Sequence, residues 1–278
     1  MKILLEGDSW AYSFHVDAAC GARSKGLFKH KSLQKYNGAE ESLKDILAGL
    51  GHEVILSAKC GSSNRFVLDR LCKIKETDID LIVVFQTCPI RDLNDSFIAK
   101  SEVYEKNLKD KVSHLTPSQF DEFVQDLAYK YYYNLHNIIN SKFNNVPTIL
   151  LGGNSRVDGK TFKRFVNEHP NTSLKSPCES ILEMLYNRIS MDTYPMPHTL
   201  DFHSTELTFA NWIHNVDDTW NHDLIDYIYE QKGLSNSVVQ YYSFLTWPDS
   251  GHLNRAGMLY LVDEILCWAD EYLETGNA

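Results

Sequence analysis

Ser9 stands in Gly7-Asp8-Ser9-Trp10, directly after the apolar run Ile3-Leu4-Leu5. Asp249 and His252 stand in Pro248-Asp249-Ser250-Gly251-His252, near the other end of the chain. A serine hydroxyl is a weak nucleophile at neutral pH and needs an imidazole to take its proton. The imidazole needs an acceptor on its second ring nitrogen to fix tautomer and direction, and a carboxylate serves. Ser9 as nucleophile, His252 as general base and Asp249 as orienting acid therefore form a complete set for acyl transfer. Each piece alone has a plainer reading. Asp8 and Ser9 can cap a helix, and Asp-x-x-His is common in polar loops. Their order, each beside a regular element, favours the chemical reading.

Those elements form an alternating series. Lys2 to Glu6 predicts a buried strand, Glu40 to Gly49 an amphipathic helix, and Glu53 to Ala58 a second strand. Phe66, Val67, Leu71 and Ile74 predict a helix over Asn64 to Lys75, and Asp80 to Gln86 is a third, continuously apolar strand. Continuous apolar strands separated by helices imply a parallel sheet covered on both faces. A serine after such a strand lies at the carboxyl edge, where these sheets bind ligands. Trp10 to Ala19 can begin a helix whose N–H groups and dipole suit an oxyanion.

Farther along, Ser118 to Phe143 predicts one long helix whose Phe123, Tyr131, Tyr132 and Tyr133 cannot all face one core. Val146 to Leu151 predicts a fourth strand, ending in Gly152-Gly153-Asn154. We expect a fifth strand before Trp247, best at Val238 to Phe244, with helices at Glu179 to Ile189, near Asp223 to Gln231, and at Leu253 to Leu273. The economical architecture is one α/β domain over residues 1–278, with insertions at about 92–145 and 156–237.

Composition narrows the function. At 278 residues with 43% hydrophobic and 23% charged residues, the chain can bury a large core. A net charge of −10 argues against a phosphate-tracking nucleic-acid binder, although Lys25, Lys29, His30 and Lys31 form a small basic group. No apolar run approaches the ~18 residues of a membrane span, and the N-terminus does not read as a signal peptide. Six scattered cysteines without a C-x-x-C spacing fit reduced thiols. We therefore expect a cytoplasmic protein that engages neither nucleic acid nor membrane. The His and Asp residues from His198 to Asp223 match no standard metal-ligand spacing, so no metal or cofactor is expected. A lid or substrate wall is the better account of that segment.

With its motifs in order, the chain resembles the SGNH (GDSL-type) hydrolase superfamily. Gly7-Asp8-Ser9 matches the family's first block, with Trp10 for the usual leucine, and Asp249-x-x-His252 matches the last. The resemblance spans the chain, but its exact motifs cover only about a dozen residues. It implies a three-layer α/β/α sandwich with a flavodoxin-like parallel sheet of about five strands. It also implies the triad Ser9, His252 and Asp249, and an oxyanion hole from Ser9, a glycine after the second strand and an asparagine after the third.

Gly61 in Cys60-Gly61-Ser62-Ser63-Asn64 fits the glycine, since its N–H can approach a substrate with no Cβ in the way. The third strand departs from the family pattern, ending in Gln86-Thr87-Cys88-Pro89, whereas Gly152-Gly153-Asn154 follows the fourth. The side-chain donor is thus Asn154, or else Gln86 or Thr87. Asn64 is a further polar group near the site. Arg91 can bind an anionic substrate group or pair with Asp92 or Asp95. The expected activity is hydrolysis of a small-molecule or carbohydrate O-acyl ester. The rivals are O-acyl transfer in the same site and a non-catalytic binding or assembly module on the same fold. The sequence carries no signal for an oligomeric state.

Overall fold

The computed structural model describes residues 1–8, 11, 30–34, 42–59, 62–87, 89, 92, 114–153, 157–178, 184 and 255–275, and all structural statements concern these. Five strands, β1 (Lys2–Glu6), β2 (Glu53–Leu56), β3 (Leu81–Gln86), β4 (Thr148–Gly152) and β5 (Leu174–Lys175), form one sheet. Their order is β2-β1-β3-β4-β5, and every neighbouring pair is parallel. This is the flavodoxin-like order. The helices are α1 (Lys31–Gln34), α2 (Leu43–Gly49), α3 (Asn64–Lys73), α4 (Pro117–Phe143), α5 (Gly159–Glu168) and α6 (Arg255–Thr275).

Successive strand side chains alternate between the two faces, and each face has its own core. Ile3, Leu5, Leu81, Val83, Phe85, Ile149 and Leu151 pack with Leu43, Ile46 and Leu47 of α2 and the buried residues of α6. Leu4, Ile82, Val84 and Leu150 pack on the other side with Val67 and Leu71 of α3, Tyr132, Leu135 and Ile139 of α4, and Phe162 and Phe165 of α5. The result is a three-layer α/β/α sandwich with helical insertions. β1, β3 and β4 need both faces covered because they are buried almost throughout.

Local chemistry sets the helix limits. Ser42 caps α2 by accepting the Asp45 N–H at 3.0 Å. Thr116 and Gln119 form a capping box at the start of α4, which ends on Asn144 in the left-handed region at φ 50°. Asp158 caps α5 through the Thr161 N–H at 2.6 Å. In α4, Tyr131 and Tyr132 are buried while Tyr133 is 44% exposed, so the tyrosines do divide between core and surface.

A fifth strand does precede Trp247, at Leu174–Lys175, a pair too short for any periodic signal; the candidate Val238 to Phe244 lies outside the described residues. Helix α5 arises in a stretch for which the sequence reading gives no helix, although Phe162, Phe165 and Val166 have the spacing of one face. The expected helices at Glu179 to Ile189 and Asp223 to Gln231 lie outside the described residues, apart from a helical Met184. No helix among the described residues is long and apolar enough to cross a membrane.

Gly7 fixes where β1 ends. Its φ is +150°, and a Cβ there would lie 2.7 Å from Phe85 Cβ and 3.0 Å from the Phe85 carbonyl oxygen. That contact is with backbone and a buried ring stem, which cannot swing aside. Gly7→Ala should therefore cost about 1–3 kcal/mol, read as a lower urea midpoint. An unchanged midpoint would contradict this packing.

Candidate active site

Because all five strands run the same way, their exits share one edge. β1 sends its crossover toward β2, whereas β3 lies on its other side, so the β1 and β3 exits flank the switch point of the sheet. Parallel sheets offer their ligand crevice there. Gly7 and Asp8 leave β1 at this point, and Ser9 is the next residue in sequence. Asp8 is buried, its carbonyl accepts the Ala11 N–H at 3.2 Å, and Ala11 is helical.

Helix α6 runs opposite to the strands. Its Tyr272 hydroxyl donates to the Ser173 carbonyl at 2.7 Å, just before β5 begins. Its Asp270 carboxylate is 3.2 Å from His30 Nε2. His52, which precedes β2, lies within the field of the N-terminal amine, His30 and Asp270. Burial, then the charges of the amine and His30, hold its pKa below the usual imidazole value. The end of α6 thus lies at the amino edge of the sheet. A helix of 21 residues is about 30 Å long, more than the length of these strands, so α6 begins at the carboxyl edge. Asp249 and His252 precede its first residue, Arg255, in sequence.

A buried polar cluster underlies this edge. Glu6, the last residue of β1, is fully buried. Its Oε1 accepts the Gly7 N–H at 2.9 Å and Arg70 Nε at 2.9 Å, and also bonds Arg70 Nη2. Burial raises the Glu6 carboxyl above the ordinary glutamate range, while Arg70 pulls it back down. Asp92, from the segment after β3, accepts the Arg65 N–H at 2.8 Å and so caps the N-terminus of α3. Burial raises its carboxyl too, against the opposing hydrogen bonds from α3. The Tyr131 phenol is pushed up by burial and by the nearby Asp92 and Glu6 charges.

The predicted site residues divide. Asn64 is fully buried, and its carboxamide forms a reciprocal pair with Thr87: Nδ2 donates to the Thr87 carbonyl at 2.9 Å, and Oδ1 accepts the Thr87 N–H at 2.9 Å. This clamp ties the start of α3 to the β3 exit and engages both ends of the Asn64 carboxamide. The Thr87 N–H is engaged in that clamp, and the Thr87 hydroxyl donates to the same Oδ1 at 3.3 Å. Gln86 is buried beside Tyr132 in the helix layer, and its carbonyl accepts the Gly153 N–H at 3.1 Å. Gly152 pairs with Gln86, two residues before Asn154 in sequence, and β4 is separated from β1 by β3, a gap of roughly 10 Å.

Ser9, Gly61, Arg91, Asn154, Asp249 and His252 lie outside the described residues, as does the His198 to Asp223 segment. Of the expected Arg91–Asp92 pair only Asp92 is among the described residues, where it caps α3. Sequence reasoning missed Glu6, Arg70 and Asp92 as builders of this edge. Glu6 carried the only visible signal, a charge closing an otherwise apolar strand. Among the described residues, no group of three or more His, Cys, Asp or Glu could hold a metal ion. Comparison with protein-family models gives no match, and comparison with curated proteins gives none either.

The raised Glu6 carboxyl has a consequence for stability. The folded state holds that proton more tightly than the unfolded chain does. The Glu6 contribution is therefore fully present below the unfolded glutamate pKa and is lost as pH rises through the raised folded value. Wild type should lose stability relative to Glu6→Gln as pH rises above the ordinary glutamate pKa of about 4.3, read from urea midpoints of both. A difference that is flat or grows with pH would contradict the burial of this group.

Proposed function

We propose that the chain is a serine hydrolase of the SGNH type, cleaving a small-molecule or carbohydrate-borne ester through an acyl-enzyme on Ser9. One observation supports this above the others. The β1 exit, which leads into Ser9, and the start of α6, which follows Asp249-x-x-His252, share the carboxyl edge of one parallel sheet. Segments more than two hundred residues apart in sequence thus converge on the edge where such sheets bind ligands.

The chemistry follows from the residue types. Ser9 Oγ attacks the ester carbonyl carbon as His252 takes its proton, and Asp249 stabilises the imidazolium. The N–H groups of Ser9 and Gly61, with the Asn154 amide, hold the oxyanion. Collapse of the tetrahedral intermediate breaks the C–O bond, and His252 returns its proton to the departing alcohol. Water then attacks the acyl-enzyme with His252 again as base, and the acid leaves. Cys72 is an exposed free thiol, which fits the reducing compartment expected from the scattered cysteines.

Turnover of short-chain p-nitrophenyl esters tests the proposal. Ser9→Ala should lower kcat/KM by roughly a thousandfold or more, and wild-type kcat/KM should fall as pH drops through the imidazole range near about 6.5. Retained activity in Ser9→Ala would overturn the assignment. An added polyol that captures the acyl group faster than water would convert the hydrolase into an acyltransferase.

A further inference from the structure

We propose that Arg70 is a positioning residue for this site, locking the β1 exit to the β2 exit from beneath. The inference rests on the hydrolase reading for its catalytic consequence, and on hydrogen-bond geometry for the lock itself. Arg70 projects from α3 with only 18% of its side chain exposed, against a fully buried Glu6 side chain. Its guanidinium divides its donors among three residues of two segments. Nε and Nη2 hold Glu6 Oε1. Nη2 also donates to the Gly7 carbonyl at 2.8 Å. Nη1 donates to Ser62 Oγ at 2.8 Å, and that hydroxyl donates its own proton to the Lys59 carbonyl at 2.6 Å.

The two exits are also joined directly, by the Lys59 N–H donating to the Gly7 carbonyl at 3.2 Å. Ser9 is two residues past Gly7, and Gly61 lies between Lys59 and Ser62. Arg70 therefore holds the chain just after the glycine directly, just before it through the Ser62 hydroxyl, and just ahead of the serine; the N–H groups of that glycine and serine are assigned to the oxyanion. A buried ion pair is weak evidence for stability, because desolvation offsets much of its attraction. Orientation is what a planar, five-donor fork provides and a lysine ammonium does not. Arg70 itself meets no substrate: it acts through Gly7 and Ser62.

The test compares wild type, Arg70→Lys and the double variant Glu6→Gln/Arg70→Met, which removes both charges. Two readouts are needed: steady-state kinetics on p-nitrophenyl acetate, and amide hydrogen exchange at Gly7, Lys59 and Ser62. A lock predicts that both variants fold, with the core amides of β3 exchanging as in wild type. It predicts at least tenfold faster exchange at those three amides, and a tenfold or greater loss of kcat with KM within about twofold. Arg70→Lys with wild-type exchange at Gly7, Lys59 and Ser62 overturns the lock, as does faster exchange spread evenly over the whole sheet. Faster local exchange with unchanged kcat overturns the catalytic role. Wild type without ester turnover overturns the hydrolase reading instead, and the exchange data still decide whether the lock exists.

Discussion

At the carboxyl edge, the main chain of Gly7 lies against Phe85 so closely that no side chain fits between β1 and β3. The contact sets how near the two central strands stand at their exits, and so sets the width of the crevice between the segments that follow. Interiors pack as densely as organic crystals, so a displacement of even one methyl group there is felt. The positive φ at Gly7 also turns the chain out of the strand, toward Asp8 and the turn that closes on Ala11. Position and direction of the β1 exit thus come from one glycine.

Around that contact the protein places charge where apolar residues would cost less to bury. Glu6 and Arg70 are desolvated for geometry, and Asn64 commits both ends of its carboxamide to one residue of the β3 exit. Asp92 ties the same exit to the start of α3. Three exits are therefore cross-linked by side chains in addition to backbone hydrogen bonds such as that from the Lys59 N–H to the Gly7 carbonyl. Such networks are costly when partly satisfied and rigid when complete, and here Glu6 Oε1 is fully engaged while the buried Oε2 is left without a hydrogen-bond partner among the described residues. The proposed site would gain from the order this network imposes on the β1 and β2 exits.

The parts of the fold legible in the sequence are those where burial imposes a long pattern. Lys2 to Glu6 reads with its observed limits, and the Leu-Ile-Val-Val-Phe core of β3 with an error of one residue, because a continuous apolar run of that length fits little besides a buried strand. The start of α4 reads within a residue. β5 is illegible since two residues carry no period. At the site, Ser9 and the Asp249-x-x-His252 pair are legible as chemistry, through residue type and order. Arg70 is not: a basic residue on an amphipathic helix reads as solvated, and its partner Glu6 is 64 positions away. Gln86 and Thr87 suit the donor role by residue type, and their burial and pairing are visible only in the fold.

What ties these layers together is the claim that the segment leaving β1 presents a nucleophile. Reaction of the native protein with a fluorophosphonate, followed by peptide mapping of the adduct, addresses it without knowledge of any substrate. The account predicts one stoichiometric adduct on Ser9, formed by the folded protein and not after denaturation. An adduct on a different residue, or no adduct on the native protein, would contradict it.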